Sequence, residues 1–491
     1  MTDNNFDEYL DKNFDNMIED LKNLISYKSV SDEESMDPSH PFGTECSNAL
    51  EYFLNKANEM GFKTKNIDNY CGWVEFGEGT ELVGIIGHLD VVPADMNDGW
   101  TTDPYTADIR DNKLFGRGSI DDKGPMISAL YAMKSILDSK IKLNKRVRLI
   151  LGLNEEKSWK CINRYKETEE FPTIGFSPDA NFPGIHAEKG ILSVSLKHKF
   201  NIIGMKILDI DCGNNAINVV PKQASITLKY TSKMFRTNKF EDRFDPLFKM
   251  NIKVENLDED TVKITSFGKA AHAAHPELGE NAITGLVRYL SETTTLNNEP
   301  NIIFLDKLLA LGFFDYESPE FLSRKDIAYA TEFEDDSVIQ DESGTLTSNI
   351  ANLIYDTETE MLEIKLNLRV PVTYFLNTIF LKYRKLVTFF EDIEVTELNR
   401  QEPLYVPQDD YLVKTLVDIF NQKTGMDSKP IAIGGGTYAR AFNNFISYGV
   451  TMPGEKDMCH QVDEFIKIDD LLLSSKIYAT AIYELAKWNF I

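Results

Sequence analysis

84-GIIGHLDVVP-93 begins as a run of glycine and branched aliphatic residues, the composition of a strand covered on both faces. It ends in a histidine and an aspartate one residue apart. Both groups are costly to bury unpaired, and both can bind a metal. Side chains repeat every second residue in extended chain, so His88 and Asp90 share one side if the strand conformation continues. Two comparable runs follow, 147-VRLILGL-153 and 173-TIGFS-177. Between the first two lies 124-GPMISALYAMKSILDS-139, where Pro125 suits a first helical turn and Met126, Leu130, Met133 and Leu137 make one apolar stripe. Strand, helix, strand predicts a parallel α/β sheet.

Before this core, Phe14, Met17, Ile18, Leu21, Leu24 and Ile25 recur at helical spacing over 13–27, and 47–60 continue helically up to Gly61, a C′ residue. After about 191 the period changes. In 361-MLEIKLNLRV-370, Leu362, Ile364, Leu366 and Leu368 alternate with Glu363, Lys365, Asn367 and Arg369, the pattern of a half-exposed antiparallel strand. ILSVSLKHKF (191–200), SITLKY (225–230) and DTVKITSFG (260–268) read similarly, with one helix near 281–292. Beyond about 400, DDYLVKTLVDIFNQKTG and then 434-GGGTYARAF-442 return to the earlier style.

With 491 residues, the chain is expected to form two or three domains. A formal charge of -26 argues against nucleic acid or an anionic membrane as partner. The start, MTDNNFDEYLDKNFDN, lacks a secretory pattern, and no apolar run approaches the roughly 18 residues that span a bilayer, so the expected location is the cytoplasm. Five cysteines without a CxxC pair suggest reduced thiols rather than disulfides or a thiolate zinc site.

In a parallel sheet, ligands gather beyond the carboxyl ends of the strands. Here those ends carry His88 and Asp90, then Glu155 and Glu156 in 154-NEEKSW-159, then Asp179 in 177-SPDA-180. A turn-rich loop, 116-GRGSIDDKGP-125, adds Asp121 and Asp122, and 453-PGEKDMCHQVDEF-465 adds His460. Singly, each has an ordinary explanation: Asp121 or Asp122 caps the following helix, the paired glutamates are solvated, and SPD is a turn. Together, the carboxylates would repel and raise one another's pKa values unless cations neutralised them. Two divalent ions would do so, and a His/Asp/Glu set suits zinc or, with harder ligands, manganese or cobalt.

GHLDVVP, GRGSIDDKGP, NEEKSW, GFSPDA, GKAAHAAHPELGENA, GGGTYAR and PGEKDMCHQVDEF, in this order, resemble the aminoacylase and carnosinase family of dinuclear metallopeptidases, most closely its bacterial peptidase V type of dipeptidase. The resemblance runs from the first helix to the end and is weakest over roughly 299–345. It implies an α/β fold: a catalytic domain with a parallel-type mixed sheet flanked by helices, formed by 1–190 and 400–491, and an inserted α+β lid domain, 191–399. It makes Asp121 the carboxylate bridging two divalent metal ions, with His88 and Asp179 completing one ion's ligands and Glu156 and His460 the other's. Asp90 would hold the His88 imidazole. A cis peptide is implied between Asp121 and Asp122.

The resemblance further implies hydrolysis of unblocked dipeptides, with acceptance of β-alanyl ones left open, by a metal-activated water with Glu155 as general base and Asp90 as the other catalytic residue. His272 matches the lid histidine that meets the oxyanion, with His275 its competitor on spacing alone. Arg369 and Asn218 match positions that grip the substrate carboxylate, Gly435 and Gly436 could supply N–H groups, and Arg440 is a weaker candidate. The glycine run lacks the GK[ST] of a phosphate loop. The subgroup resembles monomers acting on small peptides. An N-acyl amino acid deacylase or desuccinylase on the same site is the near alternative, a non-catalytic metal-dependent binding protein the remote one. A cysteine hydrolase using Cys459 is disfavoured because its neighbour His460 is assigned to metal.

Overall fold

The run that opens at Leu82 forms a strand, Leu82–His88, with every residue buried. It lies parallel to Arg146–Gly152 on one side and to Ile174–Ser177 on the other, with Ile86 opposite Ile150 and Ile85 opposite Phe176. Val83, Ile85 and Ile86 are fully enclosed, each aliphatic side chain contributing about 1.5–3 kcal/mol of burial. This computed structural model describes residues 6–32, 37–213, 216–231, 240–246, 250–293, 299–311, 313–315, 339–386, 390 and 392–487. The chain divides into two units: Met1–Ala187, Tyr405–Ile431 and Gly436–Ile491 form one, Glu188–Leu404 and Ala432–Gly435 the other.

In the first unit the sheet runs Lys63–Ile67, Cys71–Phe76, Arg146–Gly152, Leu82–His88, Ile174–Ser177, Phe445–Ser447. Its middle is parallel, whereas Cys71–Phe76 and Lys63–Ile67 are antiparallel. The mixed α/β architecture expected from the sequence is thus present. Sequence reading missed Lys63–Ile67 because KTKNI is polar and mostly exposed, leaving no apolar period to detect. The helix Lys123–Ser139 is buried almost throughout, because it packs on the Leu82–His88 strand and against the helices Phe14–Ile25 and Ile468–Lys487. Tyr411–Thr424 is capped by Asp410, whose carboxylate accepts from the Leu412 N–H at 2.8 Å, and ends on Gly425 in the left-handed region.

Among the described residues, the second unit holds two larger antiparallel sheets beside the short pair Gln340–Asp341 and Gly344–Thr345. One orders Thr347–Asp356, Met361–Val370, Gly190–Lys199 and Ile393–Gln401, and the other Met205–Asp211, Gln223–Tyr230, Thr261–Phe267, Met250–Asn256 and Arg243–Asp245. Ala282–Glu292 buries Ile283, Leu286, Val287 and Leu290 as its spacing predicts, and Asn281 caps it by accepting from the Ile283 and Thr284 N–H groups. The polar side of Met361–Val370 is partly exposed at Glu363 and Lys365, as expected, but closed at its end, where Asn367 is 2% and Arg369 4% exposed. The reason is local pairing, since Asn367 donates to Ser193 and accepts from Arg369 Nε at 3.0 Å, while Arg369 Nη1 donates to the Gly434 carbonyl at 3.0 Å. Of the stretch 299–345, residues 312 and 316–338 lie outside the described ones. Among the described residues, no helix is long and apolar enough to cross a membrane.

Candidate active site

The three central strands of the first unit point their carboxyl ends at one rim. His88 closes the first strand, the turn Asn154–Ser158 follows the second, and Asp179 stands two residues beyond the third. Asn154 closes its turn from inside, accepting from Ser158 Oγ at 2.7 Å and from the Lys160 N–H at 3.2 Å while donating to Ser31 Oγ at 2.8 Å. Asp121 enters from the loop before Lys123–Ser139. His460 arrives from the C-terminal segment at φ +63°, left-handed backbone that a non-glycine residue seldom adopts.

The structure brings His88, Asp121, Glu156, Asp179 and His460 together. Asp121 sits in the middle: its Oδ1 is 3.1 Å from His88 Nε2 and its Oδ2 3.1 Å from His460 Nε2. His88 Nε2 also faces Asp179 Oδ2 at 3.6 Å, and His460 Nε2 faces Glu156 Oε1 at 3.0 Å. One carboxylate oxygen thus serves each imidazole. The Asp121–Asp122 peptide is cis, as the resemblance implies.

The contacts around His88 test whether this donor set fits a cation. His88 Nδ1 lies 2.8 Å from the main-chain carbonyl of Asp90, an acceptor, so Nδ1 carries the proton and a neutral ring presents a bare lone pair at Nε2. That lone pair is buried and has no hydrogen-bond partner, yet it looks onto carboxylate oxygens. At 1% exposure this contact needs a positive charge: in the metal-free chain, although burial opposes it, Asp121, Asp179 and Asp90 raise the ring's pKa and favour a proton on Nε2, and a divalent ion can take that proton's place. Nitrogen and carboxylate donors without thiolate suit zinc, manganese or cobalt.

Asp90 differs from expectation in how it acts. Its carboxylate, fully buried, accepts from the Glu155 N–H at 3.1 Å and the Glu156 N–H at 3.2 Å, while His88 Nδ1 is 3.5 Å from Oδ1 and closer to the Asp90 carbonyl. The side chain fixes the glutamate turn while also lying beside the imidazole as expected, and the Asp90 carbonyl holds Nδ1 more closely. Nor does Asp122 cap the helix: its carboxylate accepts from the His88 N–H at 3.1 Å, and burial pushes it well above the ordinary carboxylate value.

Burial also raises Glu155, Glu156 and Asp179, with neighbouring carboxylates adding to each. Asp121 is the exception: burial pushes it up, but the imidazoles on its two oxygens outweigh that and hold it below the usual value. Asp121 and Glu156 lift His460 to about 11. A cavity of about 230 Å3 opens here, lined by Asp121, Glu155, Glu156, Asp179, His460 and the chain at Gly436–Thr437. Cys459 lines it too, but burial drives its thiol well above the ordinary value, the opposite of an activated nucleophile. Arg440 packs against Gly436.

In the second unit, Asn218 and His272 are exposed on neighbouring segments, with Val219 bridged to His272 and the Asn218 carbonyl accepting from the Ala273 N–H at 2.8 Å. Spacing alone could not separate His272 from His275. His272 Nδ1 accepts from the Ala274 N–H at 3.1 Å, which leaves the proton on Nε2, and although the residue keeps an exposed edge, partial desolvation of the ring, with Arg369 nearby, lowers its pKa. His275 instead pairs with Glu277 at 3.1 Å. Gly435 follows Gly434, the residue whose carbonyl anchors Arg369.

Sequence reasoning passed over Glu464 and Arg117. Glu464 is fully buried and pairs with Arg117 Nη1 at 2.7 Å. It is an unremarked acid in VDEF, and only its contacts across the chain reveal it.

Comparison with known proteins agrees with this geometry. The profile of "Peptidase family M20/M25/M40" matches residues 84–484. The chain is 36% identical over 478 residues to "Putative dipeptidase YtjP" of Bacillus subtilis, covering 96% of this chain and 98% of that one. It is 33% identical over 483 residues to a "Putative dipeptidase" of Staphylococcus epidermidis, covering 96% and 97%. Among solved structures, human carnosine dipeptidase 1 shares the fold with a TM-score of 0.57 at 16% identity, covering 98% of each chain. Aminoacylhistidine dipeptidase from Vibrio alginolyticus gives 0.53 at 14% identity, covering 96% of each. A profile match across most of the chain and relatives alike over nearly their whole length lead to one conclusion: this chain is a metallopeptidase of peptidase family M20/M25/M40.

Proposed function

We propose that the protein hydrolyses unblocked dipeptides, with two divalent cations, zinc or alternatively manganese or cobalt, held by His88, Asp121, Asp179, Glu156 and His460. One observation carries the reading: Asp121 spans two imidazoles, each with a further carboxylate of its own, His88 with Asp179 and His460 with Glu156. When bound, such ions would lower the pKa of a water and polarise a carbonyl.

The chain's own residues do the rest. Glu155 lines the cavity beside Glu156, and among the described residues no ion pair ties it to either histidine. Its raised pKa suits a group that takes the water's proton and returns it to the departing amine. His272, with its proton on Nε2, is a neutral donor suited to a developing oxyanion. Arg369, oriented through Nε and Nη1, and Asn218 are the groups proposed to take the substrate's terminal carboxylate, with Gly435 and Gly436 supplying N–H groups. A cavity of about 230 Å3 favours short substrates.

The deciding experiment offers metal-depleted protein free dipeptides and their N-acetylated counterparts, with zinc, manganese or cobalt restored. Metal-dependent cleavage of the free set alone is expected. Cleavage of the acetylated set would move the reading to an N-acyl amino acid deacylase, and no cleavage with metal bound would leave a binding protein.

A further inference from the structure

Two loops that carry proposed ligands of the same ion, one with Asp121 and one with His460, are fastened together by a single buried side chain. Glu464 lies four residues beyond His460 and is 0% exposed. Its Oε1 accepts from three consecutive-loop N–H groups, those of Gly118 at 3.0 Å, Ile120 at 3.0 Å and Asp121 at 3.3 Å. Its Oε2 takes Arg117 Nη1 at 2.7 Å, and its main-chain carbonyl accepts from the Gly116 N–H at 3.0 Å. The strand pairing of Phe465 with Phe115 continues the join on the far side. Four of the six main-chain N–H groups from Gly116 to Asp121 thus end on Glu464, while those of Arg117 and Ser119 go to the Pro104 and Gly116 carbonyls.

We propose that Glu464 is a positioning residue that sets the distance between Asp121 and His460, and so the second of the two metal centres, formed by Asp121, Glu156 and His460. The inference rests on the two-metal reading above. The other centre shares Asp121 but takes His88 and Asp179 from strand ends that Glu464 does not touch, so the centre with two ligands on the fastened loops should respond more strongly to its loss.

Glu464→Gln keeps the volume and one acceptor but turns an amide toward Arg117 or toward the loop N–H groups, donor against donor. Zinc chloride titrated calorimetrically into chelator-stripped wild-type protein should show two equivalents. In Glu464→Gln one equivalent should weaken by about 10- to 100-fold and the other, which shares only Asp121 with the fastened loops, by clearly less, with most activity recovered at saturating zinc and KM little changed. Arg117→Lys, a milder change, should weaken the same equivalent by less, and it keeps the question open to test if the glutamine variant does not fold. Glu75→Gln is the control, since Glu75 is also buried and pairs with an arginine, Arg148, at 2.6 Å. It should cost stability and leave both zinc affinities alone. Equal weakening of both equivalents in Glu464→Gln and Arg117→Lys, or no change in either variant, would overturn the assignment. Failure of the wild-type protein to bind zinc would overturn the metal reading beneath it, and that result is visible before any variant is made.

Discussion

Asp90→Asn separates the two jobs that Asp90 does. The carboxylate accepts from the Glu155 and Glu156 N–H groups at 3.1 and 3.2 Å, whereas His88 is held chiefly by the Asp90 main-chain carbonyl at 2.8 Å. Asparagine leaves the carbonyl in place and retains one side-chain oxygen. Its NH2 then confronts the second N–H, so one charge-assisted bond is lost and a buried donor goes unmatched, at a cost of about 2–4 kcal/mol. At about 1.36 kcal/mol per tenfold, that is roughly 30- to 900-fold in any equilibrium that depends on the ordered turn. Urea unfolding of zinc-loaded protein should show this loss, and kcat should fall because Glu155 is no longer held against the cavity. Zinc bound at His88 and Asp179 should be spared. An unchanged unfolding midpoint together with kcat within twofold of wild type would refute the argument, and selective loss of zinc at the His88 centre would show that the carboxylate, not the carbonyl, holds the imidazole.

Glu155→Gln should lower kcat by about 10²- to 10⁴-fold while both zinc equivalents still bind, as read by turnover and metal content; loss of metal would make Glu155 a ligand. Chelation should lower the melting temperature, since zinc at 100 times its dissociation constant stabilises by about 2.7 kcal/mol per site, and an unchanged melting curve after verified removal would contradict this. The metal-free protein should also lose stability as pH rises. Glu155, Glu156 and Asp179 are raised, and His460 is raised to about 11, so above the ordinary carboxylate range the folded chain holds more protons than the unfolded one. Melting temperature against pH should therefore slope downward without zinc and flatten with it; parallel curves would refute the coupling. Gly175→Ala should destabilise the first unit by about 3 kcal/mol or more, because the new Cβ would sit 1.9 Å from the Gly84 carbonyl oxygen, and soluble protein with a wild-type melting temperature would show that the strands can part.

The parallel strands were legible because unbroken apolar runs of strand length, separated by one helix, admit few other arrangements. The rim was legible for the same reason: once the strands are placed, their carboxyl ends say where to look, and His88, Glu156 and Asp179 stand there. What stayed hidden depends on contacts that composition does not encode. Arg369 and Asn367 alternate with leucines just as solvent-facing residues do, and only Ser193 and Gly434 from distant segments reveal that they are enclosed. Asp90 was expected to hold His88 with its side chain; the carboxylate does lie beside the ring, but the turn after the neighbouring strand shares it and the nearer partner of Nδ1 is the Asp90 carbonyl. Glu464 resembles any acidic residue beside an aromatic until the loop at Gly118–Asp121 is folded around it.

The first unit is discontinuous, and this reverses the order in which the chain can finish folding during synthesis. Residues 188–404 are nearly contiguous and can close their own core while the ribosome is still translating. The earlier unit cannot: its Ile174–Ser177 strand waits for Phe445–Ser447, its Lys123–Ser139 helix for Ile468–Lys487, and its Asp121 for His460. The part begun first is completed last. Until the final helix emerges, a half-built sheet and a cluster of uncompensated carboxylates are exposed together, so a chain stalled or cut near residue 450 would carry a finished second unit beside a first unit open to proteolysis.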